Sequence, residues 1–221
     1  MKNKMLKILK ENSIWILCFI CILIFMAILE NVMTLEIIKY DVFCHNIVIN
    51  YLRSDWLTKI VKVITSFGGA TVLITISMLS IIFIKKKRIG LYITVNLGFI
   101  TVLNLLLKNI VQRERPIGFR LVNESGYSFP SGHSMISTAF YGLIMYFVYK
   151  NVQNKKLRNI ICILLTILII LIGCSRVYLG VHYASDVIAG AVTSIVYLIV
   201  FTRIISKMGG RNEERIKENN K

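Results

Sequence analysis

Six apolar runs separated by short polar connections limit what this chain can fold into more than any other feature. They cover residues 14–29, 60–84, 89–107, 131–149, 160–173 and 183–205. A helix crossing a bilayer needs about 20 mostly apolar residues, because hydrocarbon offers no partner to an unpaired backbone amide or carbonyl. The runs therefore predict an all-α integral membrane protein, with six transmembrane helices in a bundle and one membrane-embedded domain over 1–221. Hydrophobic residues make up 56% of the chain, too many for a water-soluble domain. The basic segment Met1–Lys10 ahead of the first run resembles a secretory leader, but no small-residue cleavage site follows, so that run reads as a retained helix.

Between the first two runs, the long connection Glu30–Lys59 predicts a short helix lying in the membrane interface, with Trp56 at head-group depth. His45 falls there and reads as a surface group. The small residues of Thr65–Ala70 predict a close approach of helices near the start of the second run. The polar tail, 207–221, is expected to be flexible. Five cysteines form no disulfide framework: Cys18, Cys21 and Cys162 sit in apolar runs, and Cys44 and Cys174 fall in predicted loops on one side, where a pairing stays open.

The net charge of +16 first suggests nucleic acid, but no stretch interleaves basic and aromatic residues as an RNA-binding surface would. In a membrane chain, lysine and arginine report orientation instead. With six spans, eighteen of the twenty-seven fall on the side of the two termini: the N-terminal segment, Lys85–Arg88, Lys150–Arg158, and Arg203 with the tail. The positive-inside rule then predicts both termini in the cytoplasm. Of the remaining cations, Lys108, Arg113, Arg115 and Arg176 gather around the polar segments described next.

Three such segments fall at ends of the apolar runs on the side away from the termini. Cys174–Asp186 reads C-S-R-V-Y-L-G-V-H-Y-A-S-D. His182 and Asp186 are four apart, one helical turn, so the carboxylate can hold one imidazole nitrogen and leave the other ready to react. Arg176 is permanently cationic and suits a phosphate oxygen. Taken alone, the triplet reads equally well as a structural ion pair. Lys108–Pro116, K-N-I-V-Q-R-E-R-P, adds Lys108 and Arg115, a pair suited to a multiply charged anion. Taken alone, it reads better as a basic flank at the membrane surface. Phe129–Ser134, F-P-S-G-H-S, has proline opening a helix, followed by serine and glycine. That pattern offers unpaired amides to an anion, with Ser131 adding a hydroxyl, Gly132 allowing close approach and His133 beside the bound group as proton donor.

Together the pattern K-x6-R-P, P-S-G-H and S-R-x5-H-x3-D resembles the type 2 phosphatidic acid phosphatase superfamily, membrane lipid phosphatases that share an active-site plan with vanadium haloperoxidases. It is carried by Lys108, Arg115 and Pro116; by Pro130, Ser131, Gly132 and His133; and by Ser175, Arg176, His182 and Asp186, with no position departing. The motif region spans residues 108–186. The resemblance implies hydrolysis of a lipid phosphate or pyrophosphate, such as undecaprenyl pyrophosphate, phosphatidylglycerol phosphate or phosphatidic acid, through a phosphohistidine. It implies His182 as nucleophile, Asp186 orienting it and His133 as acid and then base. Lys108, Arg115, Ser131, Gly132 and Arg176 would hold the phosphate. No cofactor and no metal are expected. The partners expected are the lipid substrate and the bilayer, with no nucleic acid. With the termini inside, the site opens on the extracytoplasmic face of what the Ile-, Lys- and Asn-rich composition suggests is a bacterial plasma membrane. Two rivals stand beside this reading: a haloperoxidase, disfavoured by the small membrane-bound chain, and a non-catalytic lipid-phosphate-binding protein or transporter.

Overall fold

A computed structural model of the chain describes residues 12–35, 38–118 and 120–219, with side chains as far as 208. Every regular element among the described residues is helical. In chain order they are α1 (Ser13–Leu35), α2 (Lys39–Ile47), a π-helical turn (Val48–Leu52), α3 (Asp55–Ser66), α4 (Ala70–Phe83), α5 (Lys87–Val111), α6 (Gly132–Asn151), α7 (Lys155–Tyr178) and α8 (Ala184–Asn219). Met1–Lys10 and its four cations lie outside the described residues. So do the side chains of the tail from 209 on, although α8 itself continues to Asn219.

Four helices, α1, α5, α7 and the first 25 residues of α8, are long and apolar enough to cross a membrane. A fifth candidate is the pair α3 and α4, bent by 42° at the break between them. The run 60–84, expected as one span, is thus built of two helices: Phe67 and Gly68 end the first, and Gly69 stands in extended conformation before the next. The helix over 131–149 is present as α6 but is not among the candidates. Its position explains this. It is the central helix, with α5, α7 and α8 packed around it, and its buried face carries Ser134, Ser137 and Thr138 beside Phe140 and Leu143. A helix wrapped by protein has less need of a lipid-compatible surface. α5 and α7 outrun their apolar sequence at both ends and α1 and α8 at the C-terminal end, because basic and polar residues continue the backbone ladder past the hydrocarbon edge.

Outside the central four, α1 packs on α8, α4 on α5 and α3 on α7. Phe19, Met26, Phe83, Phe99, Ile163 and Ile170 are exposed on the outer faces, as side chains facing lipid would be. The helix expected in the first connection forms as α2 and the π-helical turn, and Trp56 is exposed in the first turn of α3. All five cysteines are free thiols; Cys44 and Cys174 lie in α2 and α7, not in loops, and do not pair.

Hydrogen bonds and close backbone contacts fix the register of α6. Ser194 Oγ donates to the Met135 carbonyl (2.6 Å), Ser134 Oγ to the Val187 carbonyl (2.7 Å) and Asn104 Nδ2 to the Pro130 carbonyl (3.3 Å). Gly190 lets α8 come close: a Cβ there would lie 2.9 Å from the Ser131 carbonyl oxygen. These ties bring the first turn of α6, the end of α5 and the start of α8 together at one end of the bundle, where α7, packed along α6, also ends.

Candidate active site

The eight residues singled out in the sequence all lie at that end. Lys108 closes α5, Ser131, Gly132 and His133 open α6, Arg176 is in the last turn of α7, and Asp186 is in the first turn of α8. Arg115 and His182 lie in the connections between helices. Arg176 and His182 are each 2% exposed and Asp186 is 0% exposed, so the charges are inside protein rather than at its surface.

His182 is held at both ring nitrogens. Arg115 Nη1 lies 3.1 Å from Nε2, and Asp186 Oδ2 lies 3.4 Å from Nδ1. A guanidinium can only donate, so Nε2 must be the acceptor and the ring proton must sit on Nδ1, facing the carboxylate. This tautomer leaves a lone pair on Nε2, the form a nucleophilic imidazole requires. Burial pushes the His182 imidazole down to about 4, against the pull of Asp186, so the ring is neutral at neutral pH. Asp186 is fully engaged: Oδ2 accepts from Ser128 Oγ and from the Tyr183 amide (2.9 Å), and Oδ1 accepts from Arg113 Nη1 (2.7 Å).

His133 begins α6 within electrostatic reach of Arg176, Glu124, His182 and Arg115. Its ring packs on Gly68, where a Cβ would lie 3.1 Å from His133 Cδ2 and 2.6 Å from Ile172 Cγ2. The small-residue patch therefore serves the site as well as the packing. Pro130 precedes the helix rather than opening it; Ser131 is the N-cap and makes no capping bond from its side chain. The first amides of α6 are left for a ligand. Gly132 faces Asn104 and Lys108, with a Cβ there 3.1 Å from Asn104 Oδ1 and 4.0 Å from Lys108 Cε, so any larger residue would fill the gap.

The cations are anchored differently. Arg115 donates to the carbonyls of Val181 (2.9 Å), Gly126 (2.9 Å) and Ser125 (3.1 Å), and Lys108 reaches the carbonyls of Tyr127 and Ser128. Arg176 donates to Thr65 Oγ1 (2.9 Å) and to Glu124 Oε1 (2.5 Å). Burial alone would raise the Glu124 carboxyl, but the adjoining Arg176, with His133 and Arg115, holds it below its ordinary value. Two buried polar atoms in the cluster, Arg176 Nε and Ser131 Oγ, have no hydrogen-bond partner among the described residues. A buried donor without a partner is costly, and a ligand oxygen would satisfy both.

A cavity of about 740 Å³ lies between α1, α2 and the segment after α5, with Val32, Met33, His45, Arg115 and Tyr183 in its wall. His45 thus lines a cavity beside the cluster. Among the described residues no group of three or more His, Cys, Asp and Glu side chains is placed to hold a metal ion. Sequence reasoning missed Ser128, Glu124, Thr65, Asp41 and Ser185, and had placed Arg113 near the site without a partner. The R-x-R spacing ahead of Pro116 was the one available signal, for Arg113.

A family model described as the PAP2 superfamily matches residues 89–209. The chain is 36% identical over 143 residues to phosphatidylglycerophosphatase B of Bacillus subtilis, covering 63% of this chain and 70% of that one. It is 30% identical over 151 residues to undecaprenyl-diphosphatase of Sulfolobus acidocaldarius, covering 64% and 68%. Among solved structures it resembles a transmembrane PAP2 type phosphatidylglycerolphosphate phosphatase from Bacillus subtilis, with a TM-score of 0.79 and 28% identity over 86% of this chain and 96% of that one. Aquifex aeolicus LpxE has the same fold, with a TM-score of 0.65 and 23% identity over 77% and 99%.

Proposed function

This chain belongs to the PAP2 superfamily, and on that premise we propose a two-step phosphoryl transfer through His182. The protein is a multi-pass membrane lipid phosphatase, a hydrolase of lipid phosphate esters. In the first step Nε2 attacks phosphorus in line as the bond to the lipid oxygen breaks, and that oxygen takes a proton from His133. Burial and the Arg176 cation push the His133 imidazole down to about 3, so the proton it donates must arrive with the phosphate, whose negative charge favours the imidazolium. The product is a phosphohistidine whose positive ring is offset by Asp186. In the second step His133 removes a proton from water, which attacks phosphorus and returns the electron pair to Nε2. Lys108, Arg115, Arg176, the Ser131 hydroxyl and the Gly132 amide stabilise the equatorial oxygens as charge spreads over them.

The observation that carries this reading is the Arg115 guanidinium 3.1 Å from His182 Nε2, which requires a lone pair on that nitrogen, in a cluster where the buried Arg176 Nε and Ser131 Oγ lack partners among the described residues. A phosphoryl oxygen arriving at Nε2 would replace the imidazole as a partner of Arg115. Binding alone would not need a neutral imidazole backed by a buried carboxylate, which disfavours a purely binding role.

The substrate is a lipid monophosphate or pyrophosphate, and phosphatidylglycerol phosphate heads the panel because the 36% identical relative carries that name. Purified protein in detergent is expected to release inorganic phosphate from it in excess EDTA as fast as without, since the cations of the site stand in for a divalent ion. Loss of activity on chelation, restored by magnesium, would contradict the metal-independent mechanism. A comparison with undecaprenyl pyrophosphate and phosphatidic acid then ranks the substrates.

The proposal includes six spans, with α6 as the sixth and the α3–α4 pair counted as one, both termini in the cytoplasm and the site outside. Its support is that Lys85–Arg88, Lys150 and Lys155–Arg158 occupy the helix ends opposite the site. Single cysteines at Asn123 and Gln153, both exposed, are introduced into a protein lacking the native five. A membrane-impermeant thiol reagent on intact cells is expected to label position 123 and spare 153; the opposite pattern would invert the orientation.

A further inference from the structure

Behind the His182–Asp186 pair lies a buried relay that the three motifs do not include. Arg113 sits between two carboxylates: Nη1 donates to Asp186 Oδ1 (2.7 Å) and Nη2 to Asp41 Oδ2 (2.9 Å). Ser185 completes the contact. Arg113 Nη1 donates to its Oγ (2.8 Å), that Oγ donates to Asp41 Oδ2 (2.6 Å), and its amide donates to Asp41 Oδ1 (2.9 Å). The guanidinium also lies over the Tyr183 ring, with Cζ 4.1 Å from the centroid. Asp41 is 1% exposed and Arg113 6% exposed, so none of these charges is solvated. Asp41 belongs to α2, outside the central helices, and its serine partner is 144 positions away in sequence.

A carboxylate with two equivalent oxygens can face an imidazole in several ways. Here Arg113 holds Oδ1 while Ser128 Oγ and the Tyr183 amide hold Oδ2, and with the carboxylate pinned at both ends Oδ2 is the oxygen that faces Nδ1. Asp41 fixes Arg113 in turn, because a planar guanidinium with both terminal nitrogens engaged has little freedom left. We propose that Arg113, clamped by Asp41, is a positioning residue for the nucleophile, setting which Asp186 oxygen faces His182 and at what angle Nε2 is presented. The relay touches no substrate oxygen. It carries the placement of α2 into the reaction through two buried ion pairs. This rests on the assignment of His182 as nucleophile and deepens it.

The test compares Arg113→Gln, Arg113→Lys, Asp41→Asn and the Arg113→Gln/Asp41→Asn double variant with His182→Ala, on the full chain in detergent. For Arg113→Gln, kcat should fall on the order of 10²-fold, as for a misplaced catalytic group, with KM within about threefold of the parent. The acid limb of kcat/KM should also move to higher pH. The charges facing His182 are Asp186, Arg115 and Lys108, with His133 across the site, and losing the Arg113 cation behind Asp186 strengthens the carboxylate's hold on an imidazolium. A merely structural role would leave that limb in place. Asp41→Asn should cost kcat less than Arg113→Gln and should add little to it in the double variant, because its effect passes through Arg113. If Arg113→Gln does not fold, Arg113→Lys is decisive: it keeps the charge but not the fork, and is expected to lose kcat about tenfold with the acid limb unmoved. A folded Arg113→Gln or Arg113→Lys variant with the parent's kcat, or additive losses in the double variant, would overturn the proposal. An active His182→Ala would instead overturn the nucleophile assignment on which it rests.

Discussion

Replacing His182 with alanine is expected to abolish phosphate release, lowering kcat by at least about 10⁴-fold, or about 5.5 kcal/mol of transition-state stabilisation. The protein should still fold and insert. Asp186 would lose the contact with Nδ1 but keep Arg113, Ser128 and the Tyr183 amide, so no buried charge is left bare. Asp186→Asn should cost less, on the order of 10² to 10⁴-fold, because it disturbs the tautomer and orientation of the ring without removing the attacking atom. A His182→Ala variant within tenfold of the parent would rule out a covalent intermediate on this residue.

Replacing His133 with alanine is expected to lower kcat by about 10² to 10⁴-fold, the usual worth of a general acid–base group. The loss should depend on the leaving group. A lipid alkoxide needs a proton as it departs, whereas an aryl phosphate with a good leaving group does not, so the aryl substrate should lose far less in the first step. In the second step both substrates meet the same defect, since water is no longer deprotonated. Phosphoenzyme should therefore build up in this variant with the aryl substrate, and an early burst of the aryl alcohol should precede a slow steady state. An equal loss for both substrates, with no burst, would remove His133 from the leaving-group step.

Much of the site was legible in the chain because its members stand at helix ends, where sequence spacing and spatial neighbourhood agree. His182 and Asp186 are four apart across the start of α8, and Ser131, Gly132 and His133 are consecutive at the start of α6. What was not legible comes from pairings between elements far apart in sequence. Asp41 lies in a short helix whose polar residues read as a solvated interfacial face, and nothing in that stretch announces a partner beyond residue 180. Glu124 reads as a loop carboxylate until Arg176 is seen beside it. The bend between α3 and α4 is hidden in a run that reads as one span; Gly68 and Gly69 marked the place, but composition cannot separate a close approach from a break, and here they supply both. The run 131–149 reads as one more span, and only the packing of α5, α7 and α8 around α6 shows it to be the central helix, the one that carries His133.

The central claim is that the phosphoryl group passes through Nε2 of His182. The most direct measurement uses the His133→Ala variant with a substrate labelled on phosphorus, quenched in alkali during the burst and digested for peptide mapping. The account expects nearly one label per chain, stable in alkali and lost in acid, on the peptide that contains His182. No covalent label while the burst proceeds, or a label on any other residue, would contradict it.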